Sequence, residues 1–454
     1  HLMSTEPSLL SGARQIVRQC LGLERNQQLV IFVDETTVQP GVIIAEAAES
    51  VGVPYTAILV PLAIQPRIPM QSDLSLLAQG VAREARAILT CVNASPECLP
   101  FRQRILETQW TARTRIGHMP GASMEVLRLA DVDFDQLVAD CWCMEIAMAR
   151  GRKLELTSYT KGGTAHSLTV DIGGWERLPV ASDGVISDGA WGNVPSGETY
   201  IAPVEGSAEG SVVINGSIPG LVIAPDAEML LFFERGHLVR LDPPDGTAAR
   251  WLHETQVAKA KAAGDLNWSN LAEIGVGINP AVGRLTGNML LDEKAAGTAH
   301  IALGTNTFMG GHVHATIHCD MVTRGSSIHI DGKKVVDRGA LSFREAEWHE
   351  HHSDVSLDDS PVQSAVDVAR SGIQARVFSD GRLQRILRPE PGRISACFVG
   401  DSETAQLANA LYTTLTDEGE WSPVETLAAQ ANLDRQLVRR LLHVMWSYDL
   451  VKVR

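Results

Sequence analysis

The stretch from Leu29 to Val60 reads LVIFVDETTVQPGVIIAEAAESVGVPYTAILV, and the order of its patterns decides the fold of the first part of the chain. Leu29 to Val33 (LVIFV) is an unbroken apolar run, the mark of a strand buried on both faces. Pro40 then opens a helix through Ser50 (PGVIIAEAAES); its ring costs nothing at a first helical position, where the N–H lacks an intrahelical partner anyway. Val51-Gly52-Val53-Pro54 stops the helix, and Tyr55 to Val60 is the next strand. Further out, a helical stretch from Leu74 to Arg86 precedes another strand, Ile88 to Val92 (ILTCV). Strand, helix and strand at this spacing predict a parallel sheet with crossover helices. A nucleotide-binding sheet would carry G-x-G-x-x-G after its first strand. Here that place holds Asp34-Glu35-Thr36-Thr37, so the sheet reads as scaffold.

Beyond a long helical segment, Asp133 to Arg150, the pattern changes. Lys153 to Asp171 and Ser211 to Phe233 are β-rich, while Asp183 to Gly210 holds six glycines and no long apolar run and reads as loop. Trp251 to Ala263 is helical, and a second β-rich stretch runs from Glu273 to Val336 with Asp331-Gly332 as its hairpin signal. After Gly339 the composition turns acidic and Ser-rich. Residues 396–454 then predict helices from Ser402 to Leu415, from Ser422-Pro423 (N-cap, then Pro at N1) to Gln430, and from Asn432 to Tyr448, followed by a strand, Leu450 to Val453. The expected fold is an α/β domain with a parallel sheet over 1–150 and a β-rich α+β domain over 151–345. A connecting segment, 346–395, and a winged-helix-like module, 396–454, follow.

Composition bounds the function. The 454 residues carry 39 Lys plus Arg against 54 Asp plus Glu, a formal charge of −15, which disfavours nucleic acid as the main partner. The terminal module carries five basic and eight acidic residues, or −3, so a protein or peptide partner is expected for it rather than DNA. No apolar run approaches the ~20 residues that span a bilayer. His1-Leu2-Met3 reads as an appended start, and no basic-then-apolar leader follows Met3. Seven cysteines without a C-x-x-C pair argue against a disulfide framework, and a cytoplasmic location is expected.

The sharpest chemical signal is Thr316-Ile317-His318-Cys319-Asp320-Met321-Val322. Strand side chains alternate, so His318 and Asp320 share a face and together can bind a divalent metal. Alone, H-x-D is more often a hydrogen-bonded pair, but its neighbourhood adds weight. His300 lies within an apolar strand pattern, where its bland reading is a satisfied core histidine. Glu273 enters a buried Gly-rich run, E-I-G-V-G-I-N-P, at a cost unless it is paired or metal-bound. Glu198 stands at a loop-to-strand junction in P-S-G-E. His312 and His314 alternate on the face of His318 and suit a pocket role better than ligation. His349, His351 and His352 fit a solvated loop, and Cys141 and Cys143 fit a helix core. No G-x-S-x-G nucleophile elbow is present.

Taken together, G-N-V-P-S-G-E-T-Y from Gly192, E-x-G-x-G-x-N-P from Glu273, D-E-K-x-x-G-T-x-H-I-A-L-G from Asp292, and H-x-D resemble the thermophilic metalloproteases, the leucyl aminopeptidase group of peptidase family M29. The resemblance runs over roughly residues 15 to 340 and includes Met119-Pro120-Gly121. It implies a homodimer and a site for two divalent cations (Zn, Co or Mn) built from Glu198, Glu273, His300, His318 and Asp320. It also implies hydrolysis of an amide or peptide bond in a small substrate, with Glu198 or Glu273 as general base. One position departs: the family's tyrosine seven residues after the metal histidine is Thr307, too short for the same job. The same fold family resembles 2,5-dihydroxypyridine dioxygenases, which implies as the alternative one iron(II) on His300, His318 and Asp320 and cleavage of a hydroxylated N-heteroaromatic ring.

Overall fold

The computed structural model describes residues 7–67, 80, 82–107, 114–173, 179–186 and 189–342, and beyond these 382–385, 410–411, 422–433, 438 and 451–453. Residues 1–138 with 182–196 make one compact unit; 139–181 and the chain from 197 onward to 342 belong to a second.

In the first unit the three apolar runs become Leu29–Val33 (β1), Tyr55–Leu59 (β2) and Ala87–Thr90 (β3), and a fourth strand, Arg115–His118 (β4), forms where no apolar run marked one. All pair in parallel, in the order β2-β1-β3-β4. Every residue of β1 and β3 is buried, as an unbroken apolar run requires, whereas edge strand β2 alternates exposed and half-buried positions. The Phe32 and Phe101 rings meet edge-on at 6.2 Å in a core with Val30, Ile88, Ile105 and Ile116. The helix begins at Val38, two residues ahead of the expected Pro40. Proline is tolerated there because none of the first four helical N–H groups has an intrahelical acceptor.

The β-rich part supplies Lys153–Tyr159 (β5), Ala165–Asp171 (β6), Val180–Ser182 (β7), Trp191–Asn193 (β8), Glu198–Ile201 (β9) and Glu209–Ile214 (β10). It continues with Ser217–Ile218 (β11), Leu221–Val222 (β12), Met229–Glu234 (β13), His237–Asp242 (β14), Leu271–Gly277 (β15), Ala299–Gly304 (β16) and His318–Thr323 (β17). Ser327–Ile330 (β18), Lys333–Asp337 (β19) and Ala340–Leu341 (β20) complete it. The glycine-rich stretch expected to be loop therefore contains two strands, and β8 joins the parallel sheet beside β4. Its three residues carry no apolar run, which is why local pattern hides it.

One antiparallel sheet runs β14-β13-β10-β6-β5-β18-β19-β20. Ile330 pairs Lys333 across the expected hairpin, with Asp331 and Gly332 both at positive φ (49° and 80°), as a two-residue turn of matching twist demands. The other runs β12-β11-β17-β16-β15-β9-β7 and carries the candidate site. β15 and β16 are buried along their whole length. The strand expected through His312 and His314 is absent: both are exposed, and β17 starts only at His318. Cys141 and Cys143 are buried on the helix Phe134–Arg150, as expected.

Arg382–Arg385, within the expected connecting segment, joins Ser422–Pro423 and Val451–Val453 of the terminal module in a three-stranded antiparallel sheet, and Val424–Ala431 is helical. Ser422 and Pro423 thus close a strand rather than cap the helix, which starts at Val424. Most of the helices expected between Ser402 and Leu415 and between Asn432 and Tyr448 lies outside the described residues, as do His349, His351 and His352. Among the described residues no helix is long and apolar enough to cross a membrane.

Candidate metal centre

The five expected residues meet on one face of the β9-β15-β16-β17 sheet, and pairing register puts them there. Glu198 pairs Gly277 and Tyr200 pairs Gly275. Gly275 in turn pairs His300, and Glu273 pairs Ala302. Ala302 pairs Asp320 and Gly304 pairs His318. Since alternate residues share a face, this face carries Glu198, Tyr200, Glu273, His300, His318 and Asp320, separated by Gly275, Gly277, Ala302 and Gly304. Gly275 and Ala302 leave a trough for the functional side chains, while the space over Gly277 and Gly304 is taken by the Ala295 and Ile317 carbonyls. A Cβ on Gly275 would lie 2.1 Å from His300 Nε2, so glycine is what lets the imidazole lie across β15. The opposite face, with Ile274, Val276, Ile301, Leu303 and Met321, is apolar and buried. There Thr199 Oγ1 donates to the Cys141 carbonyl of the covering helix at 2.9 Å.

Within the trough the contacts form a chain. His300 Nε2 is 3.7 Å from Glu198 Oε2 and 3.1 Å from Glu273 Oε1. His318 Nε2 is 3.1 Å from Glu273 Oε2 and 3.3 Å from Asp320 Oδ1. Glu273 thus faces a different imidazole with each oxygen. Among the described residues Glu273, His318 and Asp320 form a metal-competent group, their ligand atoms all within 4.8 Å of one another.

The two histidines are built differently. His318 Nδ1 lies 2.8 Å from the Thr305 carbonyl, which fixes a proton there and makes Nε2, turned toward Glu273 and Asp320, the nitrogen that could ligate a cation, the usual support of a metal-bound imidazole. His300 is fully buried, and its Nδ1 has no hydrogen-bond partner. The carbonyl-anchored tautomer therefore marks His318 as the better ligand.

Two residues that the sequence reading passed over inside D-E-K complete the site. Lys294 is fully buried, with Nζ 3.0 Å from Glu198 Oε1 and 2.5 Å from Glu293 Oε1. A buried ammonium is tolerable only because two carboxylates share it. Tyr200 is the third addition, and only strand alternation from Glu198 could have signalled it.

Burial dominates the electrostatics, and the neighbours then decide the sign. Burial alone would raise the Glu273 carboxyl, but the His300 and His318 rings outweigh it and hold it at about 2. Burial would lower His300, yet Glu273, Glu198 and Glu293 lift it to about 9; His318 is likewise raised well above its ordinary value by Asp320 and Glu273. Burial and the Glu198 charge raise the Glu293 carboxyl. Burial and the surrounding carboxylates also keep the Tyr200 phenol protonated. A concentration of buried carboxylates that draws protons onto two imidazoles is the donor set a divalent cation fits, with the cation replacing those protons. Thr307, where the peptidases' tyrosine would stand, is exposed, its hydroxyl 3.4 Å from that of Thr305.

A family model for 2,5-dihydroxypyridine 5,6-dioxygenase matches residues 135–343. Among solved structures, the chain is similar to 2,5-dihydroxypyridine dioxygenase from Pseudomonas putida KT2440, at 21% identity and a TM-score of 0.56, over 75% of this chain and 98% of that one. It is also similar to wild-type AmpT from Thermus thermophilus, at 17% identity and a TM-score of 0.50, over 74% and 99%. At these identities the likeness is one of fold. No curated protein matches the chain.

Proposed function

We propose that the chain is a metal-dependent enzyme that opens a hydroxylated N-heteroaromatic ring, the reaction class of the 2,5-dihydroxypyridine dioxygenases, with one iron(II) held by Glu273, His318 and Asp320. The observation that carries this reading is the reach of the family match, which takes in Glu198, Tyr200, Glu273, Glu293, Lys294, His300, His318 and Asp320 together. The geometry supports a single cation: three ligand atoms converge at the Glu273-His318-Asp320 end, while at the Glu198 end the Lys294 ammonium already supplies the positive charge. This shifts the weight from the hydrolase expectation to its alternative, and within that alternative from His300 to Glu273 as third ligand.

Iron(II), when bound, supplies the one-electron chemistry that lets dioxygen react with a ring carbon. The chain's own groups do the rest. The Thr305 carbonyl holds the His318 tautomer, and His300 holds a proton against Glu273 Oε1. The protonated Tyr200 hydroxyl, on the same face, is a donor for a substrate oxygen.

The second reading, amide or peptide hydrolysis with two cations, rests on Glu273, whose oxygens lie 3.1 Å from two different imidazoles as a bridging carboxylate's would. Oxygen uptake by the iron-loaded protein with 2,5-dihydroxypyridine, set against p-nitroaniline release from leucine p-nitroanilide by the zinc- or cobalt-loaded protein, separates the two. Uptake without peptidase activity is expected; rapid anilide cleavage without oxygen uptake would overturn the proposal.

A further inference from the structure

A cavity of about 450 Å³ opens in the β-rich unit between edge strand β14 and the helical segment 247–262, and none of the metal-site residues lines it. That volume lies in the range of small-molecule sites. Ala249, Leu252 and Val257, each at most 5% exposed, make its floor, and Trp268 closes one end. The helical segment is wound as a π turn over His253–Val257, a rare geometry that concentrates at binding sites.

The charge on the walls is unlike that of the chain. Arg250 and Lys261 stand there against the single carboxylate of Glu254, while Arg240 is already paired with Asp242. Among the described residues neither Arg250 nor Lys261 has a carboxylate partner. Lys261 Nζ sits 5.0 Å from the centre of the Trp268 ring, held over the indole by its π face. In a protein of net charge −15, a local excess of unpaired cations around an apolar floor selects an anion with an apolar body.

We propose that this cavity binds an aromatic carboxylate. Its ring rests on the Leu252 and Val257 side chains beside Trp268, and its carboxylate pairs with Lys261. Arg250, toward the other end of the same helical segment, adds attraction without direct contact. The inference stands apart from the proposed reaction, because the two sites share no residue.

Isothermal titration of the full-length, metal-loaded protein with 2-naphthoate, decanoate and inorganic phosphate tests it. One naphthoate should bind per chain, more tightly than either other probe. Lys261→Met should weaken it about tenfold or more, the loss of a charge-assisted contact, and Arg250→Met only a few-fold, with metal content and thermal midpoint unchanged in both. Absence of naphthoate binding, an affinity untouched by Lys261→Met, tighter binding of decanoate (an acyl groove), or equal binding of phosphate (an anion patch only) would each overturn it.

Discussion

Gly275→Ala isolates the construction of the trough. The φ of Gly275 is not positive, so alanine fits the backbone and its effect is steric alone. The new Cβ would start 2.1 Å from His300 Nε2 and 2.3 Å from Cε1, where real contacts stay beyond 3.0 Å. The ring must retreat by about 0.9 Å, and it is fully buried. Overpacking of this kind costs ~1–3 kcal/mol. The 3.1 Å contact to Glu273 stretches past hydrogen-bonding range and forfeits part of a charged bond worth ~1.5–3 kcal/mol. A total of about 2–4 kcal/mol should lower the thermal midpoint of the β-rich unit by roughly 5–15 °C. Metal affinity should fall as well, since Glu273 loses the partner that orients it. Differential scanning fluorimetry and metal titration measure both, with Gly283→Ala, whose Cβ meets nothing within 4 Å, as the control. A Gly275→Ala protein with wild-type midpoint and metal affinity would refute the placement of His300 across β15.

Four further outcomes follow from the same geometry. Lys294→Met should destabilise by ~3–5 kcal/mol, because Glu198 and Glu293 lose their shared counter-charge in the interior, and adding Glu293→Gln should restore part of that; urea denaturation measures it. Burial holds His118 at about 4, below its unfolded value near 6.5, so its neutral ring favours the fold above pH ~6.5. As pH falls toward 4, up to about 3 kcal/mol is lost, a slope that His118→Gln should flatten in urea midpoints taken from pH 7 to 4. Because His318, raised well above its ordinary value by Asp320 and Glu273, is protonated near neutrality without a cation, metal loading should release its proton and tighten as pH rises; calorimetry in buffers of different ionisation heat reads that release. We also propose a homodimer, which light scattering should report as twice the chain mass, and a protein-binding role for residues 396–454, whose removal should leave metal binding intact.

Much of the site was legible as spacing. E-x-G-x-G, H-I-A-L-G, H-x-D and E-T-Y each place functional and small residues on alternating positions, which in strands means one face. Which alternations lie side by side was not legible, because register is set by long-range pairing and by the irregularity between Leu271 and Glu273. Lys294 escaped because a lysine after two acidic residues reads as a solvated charge, and only tertiary burial makes it a counter-ion. In the first unit the apolar runs gave β1 to β3, but β4 (RIGH) carries none, and β8 pairs with it from some seventy-five residues downstream, a distance no local window spans. His312 and His314 failed for a related reason. Alternation before His318 suggested strand, but the Glu205 carboxylate accepts from the His312 backbone N–H at 2.8 Å and from Asn306 Nδ2 at 3.0 Å, folding the segment into a loop.

The central claim is one cation on Glu273, His318 and Asp320, and metal titration of protein stripped of metal under anaerobic conditions tests it most directly. Iron(II) should saturate at one equivalent per chain, His318→Ala and Asp320→Ala should each abolish binding, and His300→Ala should weaken it while leaving the count at one. Saturation at two equivalents, with one lost in His300→Ala or Glu198→Ala and the other in His318→Ala, would contradict it.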